Sequence, residues 1–158
     1  MSKTSTNIKV VNSISELGRE EWNECAIFHS DDDSNETADP FTCYDFLHAL
    51  EKSGSVGEGT GWIPYHLAAF NNNKFVGAVP LYLKSNSQGE YIFDHNWAHA
   101  FERAGGRYYP KLQISVPFTP VTGRRLLVSK NAPNNTASLL LQSAIALCKQ
   151  NNLSSLHT

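Results

Sequence analysis

The sequence predicts a mixed α/β domain built around a largely antiparallel sheet. Three observations carry this. Two strand-like runs, residues 65–70 and 74–84, flank Asn71-Asn72-Asn73, and asparagine tolerates the left-handed backbone of a tight turn. Helical patterns with their own caps lie on either side of that hairpin. The order reads β-α-α-β-β-(β or α)-β-α-β.

Residues 8–11 form a β-branched first strand. Ser13 with Glu16 makes a capping box, and Ile14, Leu17, Trp22 and Cys25 give the stripe of a helix running to about Ala26. Residues 30–39, SDDDSNETAD, lack apolar side chains and read as a mobile acidic loop. The glycine and terminal glutamate of a calcium loop are absent from it. Asp39-Pro40-Phe41-Thr42 opens a second helix capped by Thr42, with Phe46, Leu47 and Leu50 inward and Gly54 as its end. GSVGEGTG at 54–61 lacks the Gly-Lys-Ser/Thr of a phosphate loop and reads as a connector. Pro80 cannot donate to a ladder, so it belongs at an edge or bulge. Residues 90–93 extend the sheet, and 112–116 form a core strand. Asn135 or Thr136 caps a last helix that buries Leu139, Leu140, Ala144, Leu147 and Cys148.

The 158 residues suit one domain with a real core. Hydrophobic content of 41% with 18% charged residues describes a globular chain rather than a disordered one. A net charge of -2 gives no surface for coating nucleic acid, but leaves room for a local basic patch. Cys25, Cys43 and Cys148 include no CxxC pair, which excludes a disulfide framework and a zinc knuckle. Buried free thiols in a reducing compartment are the plain reading. The start, MSKTSTNIKVV, has no apolar signal core, and no run reaches the ~18 apolar residues of a membrane span. The expectation is a cytoplasmic protein without membrane insertion. Residues 153–157 read as a strand just begun after a helix, so the chain is expected to be a fragment or an incomplete gene product.

The segment 94–125 gathers most of the chemistry. Arg124 and Arg125 follow Gly123, and guanidinium forks suit phosphate or carboxylate, although two arginines on a turn also suit plain solvation. Tyr108, Tyr109 and Lys111 could stack on or hydrogen-bond a ligand, or alternate in and out as strand residues do. His95 and His99 lie one helical turn apart, but Asn96 stands where a HExxH glutamate would be, so no metal is expected. Asp94, Glu102 and Arg103 share that segment as a polar wall.

DPFTCYDFLHALEKSGSVGEGTGW, VGAVPLYLKSNSQGEYIFD and RAGGRYYPKLQISVPFTPVTGRRLL together resemble the bacterial FemAB-like proteins, labelled peptidoglycan biosynthesis/recognition, of the GNAT acyltransferase superfamily. The likeness runs from about residue 39 to 125. It implies that residues 1–158 are a single GNAT-like domain, the N-terminal half of a longer FemAB-like protein. It also implies transfer of an acyl or aminoacyl group to an amine acceptor, a peptidoglycan precursor among them. FemAB-type enzymes take the aminoacyl group from charged tRNA. Other GNAT members take acetyl-CoA or another acyl-CoA on a glycine-rich loop after the central strand. That place is filled here by PFTPVTGRR, with one glycine where two are expected. The resemblance thus makes Val116, Phe118, Thr119, Thr122, Gly123, Arg124 and Arg125 donor-binding residues. It makes Arg103, Tyr108, Tyr109 and Lys111 substrate-binding, and Glu102 or Asp94 the catalytic base. The alternative is a non-catalytic module that recognises a peptide or muropeptide, or packs on a catalytic half. A homodimer through the last strand's open edge is a further expectation.

Overall fold

The computed structural model describes residues 5–28 and 37–158. Of the expected acidic loop, 30–36 lies outside the described residues. Its last part forms β3 (Thr37–Ala38), antiparallel to β2 (Ile27–Phe28).

β1 (Thr6–Val11) leads to a capping box, which closes as expected: Ser13 Oγ accepts from Ser15 N, and Glu16 Oε1 accepts from Ser13 N. The box caps only a 3-10 turn (Ile14–Glu16), however. Leu17 and Gly18 are extended, so α1 (Arg19–Ala26) starts afresh beyond them. The expected single helix is therefore two pieces, yet Ile14, Leu17, Trp22 and Cys25 all reach the core. α2 (Tyr44–Lys52) is capped at Cys43 rather than Thr42. Thr42 is taken up in a turn on Asp39, and its carbonyl accepts the indole N–H of Trp22 at 2.8 Å.

The hairpin is longer than expected and is shared between two sheets. β4 (Trp62–Pro64) and β5 (His66–Asn71) form its first arm, and β6 (Lys74–Val79) and β7 (Leu81–Lys84) its second. Asn72 and Asn73 take the positive φ values, 49° and 62°, that the turn requires. From Trp62↔Lys84 to Ala69↔Gly77 the pairing keeps one register. Pro80 falls where the second arm passes from one sheet to the other, so its missing N–H interrupts neither ladder.

One sheet runs β1-β5-β6-β9, with β9 at Leu127–Val128, and every pairing in it is antiparallel. The other runs β10-β8-β7-β4. In it β8 (Lys111–Ile114) is antiparallel to β7 and parallel to β10 (Leu156–His157). The fold is thus mixed α/β with two mainly antiparallel sheets. Residues 90–93 form no strand, contrary to expectation, and β7 is flanked instead by β4 and β8. The variable position in the predicted order is instead a helix, α3 (His95–Arg103).

Helix α4 (Thr136–Gln150) crosses between β8 and β10. Its Leu140, Ala144 and Cys148 pack with Leu67, Val79, Leu81, Leu112 and Ile114. On the opposite face of the first sheet, Ala68, Ala78 and Leu127 meet Trp22 and Leu47 from α1 and α2. Glu51 of α2 ties these parts together. Its carboxylate accepts from Ser13 Oγ at 2.7 Å and Ile14 N at 3.1 Å, and lies 3.0 Å from His66 Nε2. Since His66 Nδ1 faces the Leu81 N–H at 3.3 Å, the ring proton belongs on Nε2 and is donated to Glu51. Among the described residues no helix is long and apolar enough to cross a membrane.

Candidate functional site

Side chains alternate across a strand, and this places the site. Leu81 and Leu83 of β7, Leu112 and Ile114 of β8 and Leu156 of β10 join the core that α4 covers. The alternate positions Tyr82, Lys84, Lys111, Gln113 and His157 therefore share the other face. Lys84 and Lys111 are direct partners across β7–β8, so two ammonium groups leave the same face side by side. They are 0% and 2% exposed. A buried ammonium is tolerated only when paired and hydrogen-bonded.

Each lysine has its own set of partners. Lys84 Nζ donates to the Gln88 carbonyl at 2.8 Å, lies 3.4 Å from Glu90 Oε1, and sits 3.8 Å above the Trp62 ring. Lys111 Nζ donates to Asp94 Oδ2 at 2.7 Å and faces Tyr108 OH and His157 Nδ1, each at 3.4 Å. Tyr109 OH lies 2.8 and 2.9 Å from the two Asp94 oxygens and 2.8 Å from Ser87 Oγ. The lysines thus hold down the long 85–94 connection at both its ends.

Around this network lies a hollow of about 780 Å³, lined among others by Glu90, Asp94, Tyr108, Lys111, Ser115 and His157. Its rim is apolar, since Ile92 and Trp97 stand 71% and 75% exposed. Burial raises the Asp94 carboxyl, but Lys111, Ser87 and Tyr109 outweigh it and hold the group well below the usual carboxylate range. Burial lifts Glu90 above that range, because Lys84 and Lys111 only partly offset it. Burial lowers Lys84 and His157, and Lys111 lowers both further. The Tyr108 hydroxyl is pushed up to about 12 by burial and by Asp94.

Of the residues expected from sequence, Asp94, Tyr108 and Lys111 line the hollow, and Tyr109 reaches it through Asp94. Glu102 and Arg103 are exposed on the last turn of α3, outside it. Val116 is buried, and Phe118, at φ 68°, packs its ring 5.7 Å from Trp62. Thr119 is half-buried, while Thr122 and Gly123 are exposed. Arg124 Nη2 donates to the Ala26 and Ile27 carbonyls at 3.1 and 2.7 Å. Arg125 donates to Val121 and Arg124 carbonyls and lies 3.7 Å from Asp39. Both guanidiniums thus tie the 117–125 loop to the protein's own main chain. His95 and His99 do share an exposed turn of α3. Among the described residues no three His, Cys, Asp or Glu side chains gather as a metal set.

Sequence reasoning missed Lys84, Ser87, Glu90, Ser115 and His157. The signal was present in LYLK and KLQIS, where alternation puts Lys84, Lys111, Gln113 and Ser115 on one side and the leucines and isoleucine on the other. What hid it was the register that sets the two lysines opposite each other.

No match to the chain is found among curated proteins. Among solved structures, an aminoglycoside acetyltransferase from an uncultured soil metagenomic sample aligns with 98% of this chain and 79% of its own, at 14% identity and a TM-score of 0.47. The family model described as peptidoglycan biosynthesis/recognition, FemAB-like, matches residues 13–158. A match over that share of the sequence makes the chain a member of the FemAB-like family.

Proposed function

We propose that this chain is an acyltransferase domain that passes an acyl or aminoacyl group to an amine acceptor, a peptidoglycan precursor being the acceptor class. The observation that carries the reading is the 780 Å³ hollow on the polar face of β7–β8–β10, with its buried Lys111–Asp94–Tyr109 network, in a FemAB-like chain. Such a network fixes side chains in advance, and holding two reactants in attack geometry supplies much of the catalysis of acyl transfer. Tyr108 and Lys111 position the acceptor, and Ile92 and Trp97 cover its stem. Main-chain amides where β8 ends polarise the donor carbonyl.

The donor is read from the loop. With the Arg124 and Arg125 guanidiniums held by carbonyls, residues 117–125 fit the pyrophosphate of an acyl-CoA poorly. That supports aminoacyl-tRNA as donor ahead of acyl-CoA, and a cytoplasmic setting where charged tRNA is present. The test is transfer of radiolabelled alanine from Ala-tRNA, or of acetyl from acetyl-CoA, to a lysine-containing muropeptide. Product with Ala-tRNA is expected. Absence of product with both donors, together with thermal stabilisation by the muropeptide, would replace this reading with the recognition module.

A further inference from the structure

Five large apolar side chains stand in water within one short stretch. Tyr91, Ile92, Phe93, Trp97 and Phe101 range from 48% exposed at Phe101 to 76% at Tyr91. Trp97 and Phe101 lie one turn apart on α3, and Trp97 lines the hollow together with Ile92. A large apolar side chain offers roughly 150–250 Å² when free, so these five leave on the order of 650 Å² to solvent. The largest apolar patch on a soluble monomer is usually about 300–600 Å². The helix that carries the patch is also short of support from its own chain. α3 has nine residues and buries only Ala98. A helix below about 12–15 residues holds in water mainly by packing an apolar face.

We propose that this face docks a second copy of the chain, α3 against α3 in antiparallel sense. Area is the first reason. Two such patches remove about 1,300 Å² from water, within the roughly 1,200–2,000 Å² of stable interfaces. Charge is the second. Glu102 and Arg103 of α3 cancel, and Asp94 is taken up by Lys111, so the face has no excess of cations for a nucleic acid or an anionic membrane. Geometry is the third. A twofold axis level with His99 sets Trp97 of each copy on Phe101 of the other, and the opposed helix dipoles attract. This surface is distinct from the open edge of β10 expected from the sequence. Because Ile92 and Trp97 also wall the hollow, the second copy stands at its mouth, and two chains complete the acceptor site. The docking itself does not depend on the transferase reading.

The test is sedimentation velocity of the full chain without substrate. Wild type is expected to pass from monomer to dimer over about 1–200 µM, as suits an interface at the small end of the standard size. Iodide quenching locates the contact, because Trp22 and Trp62 are buried and Trp97 alone of the three tryptophans meets solvent. Dimerisation should lower its quenching constant at least about threefold, since an interface centre excludes water. The double variant Tyr91→Ser/Phe93→Ser, neither residue lining the hollow, should stay monomeric over the same range with wild-type circular dichroism. A dimer that survives this change, or whose Trp97 is quenched as readily as in the monomer, overturns the proposal and moves the contact elsewhere, the β10 edge included. Wild type that stays monomeric overturns it too; protection of Trp97 by phosphatidylcholine vesicles or by the muropeptide would then give the face to that occupant. A monomer that still transfers acyl groups sinks the dimer and keeps the proposed function, and a dimer without transfer does the reverse.

Discussion

Replacing Lys111 with methionine tests whether the network under the hollow is a matched set of charges. The side chain is 2% exposed, and its ammonium is 2.7 Å from Asp94 Oδ2. Methionine fills much the same space but removes the charge, leaving the Asp94 carboxylate without its cation. Breaking a buried pair from one side costs about 3–5 kcal/mol. Asp94 keeps the hydrogen bond that the single Tyr109 hydroxyl proton shares between its two oxygens and some contact with solvent, so we expect about 2–3 kcal/mol here. Urea denaturation reads the loss, and Lys111→Met/Asp94→Asn should recover part of it, as coupled neighbours do. The pH dependence has a definite sign. In wild type the Asp94 carboxyl is held below its ordinary value, so its stabilisation is complete above the unfolded value of about 3.9 and disappears as pH falls toward the depressed one. The variant lacks the cation responsible. The gap between the two proteins should therefore be full at pH 7 and shrink on acidification. A loss under about 1 kcal/mol at pH 7, or a gap that widens in acid, would refute the reasoning.

Other substitutions separate support from function. Arg124→Ala removes donors to the Ala26 and Ile27 carbonyls and should cost about 1–3 kcal/mol of stability; unchanged stability with lost donor binding would assign the guanidinium to a ligand instead. Trp97→Ala should leave stability within about 0.5 kcal/mol, as the residue is 75% exposed, and weaken binding of the muropeptide in titration. Gly77→Val should destabilise by about 1–3 kcal/mol in thermal unfolding. Even its first added carbon would sit 3.1 Å from the Leu127 carbonyl and 3.2 Å from Leu140.

Local chemistry was legible in the sequence and long-range pairing was not. Ser13 with Glu16, the asparagine turn, and the buried stripe of α4 depend on neighbours a few residues away, and each could be read. The break at Leu17–Gly18 was missed because a stripe of buried residues does not reveal whether one helix or two pieces carries it. Residues 90–93 have strand-like composition, but whether they pair depends on which edges remain open. The same gap explains the site. Asp94, Tyr108 and Lys111 stood out as charged or aromatic residues within one segment. Lys84 and Glu90 acquire meaning only from Lys84 lying opposite Lys111. The arginine pair showed the opposite weakness, since its composition suited an anion while main-chain carbonyls, those of 26 and 27 for Arg124 and of 121 and 124 for Arg125, accept from both.

The hairpin that crosses from one sheet to the other has a consequence for how this site can change. The two-residue bend at Asn72–Asn73 and the bulge opposite Ala69–Phe70 together set the phase of every position down to Lys84, on the far side of Pro80. Inserting one residue between that bulge and Lys84 would invert the in-out phase of the arm beyond it. Tyr82 and Lys84 would then face the leucines beneath α4, and Leu83 would replace them under the hollow. Variation in the polar face is accordingly open to substitution, whereas a change of length between the bulge and Lys84 would turn that face over.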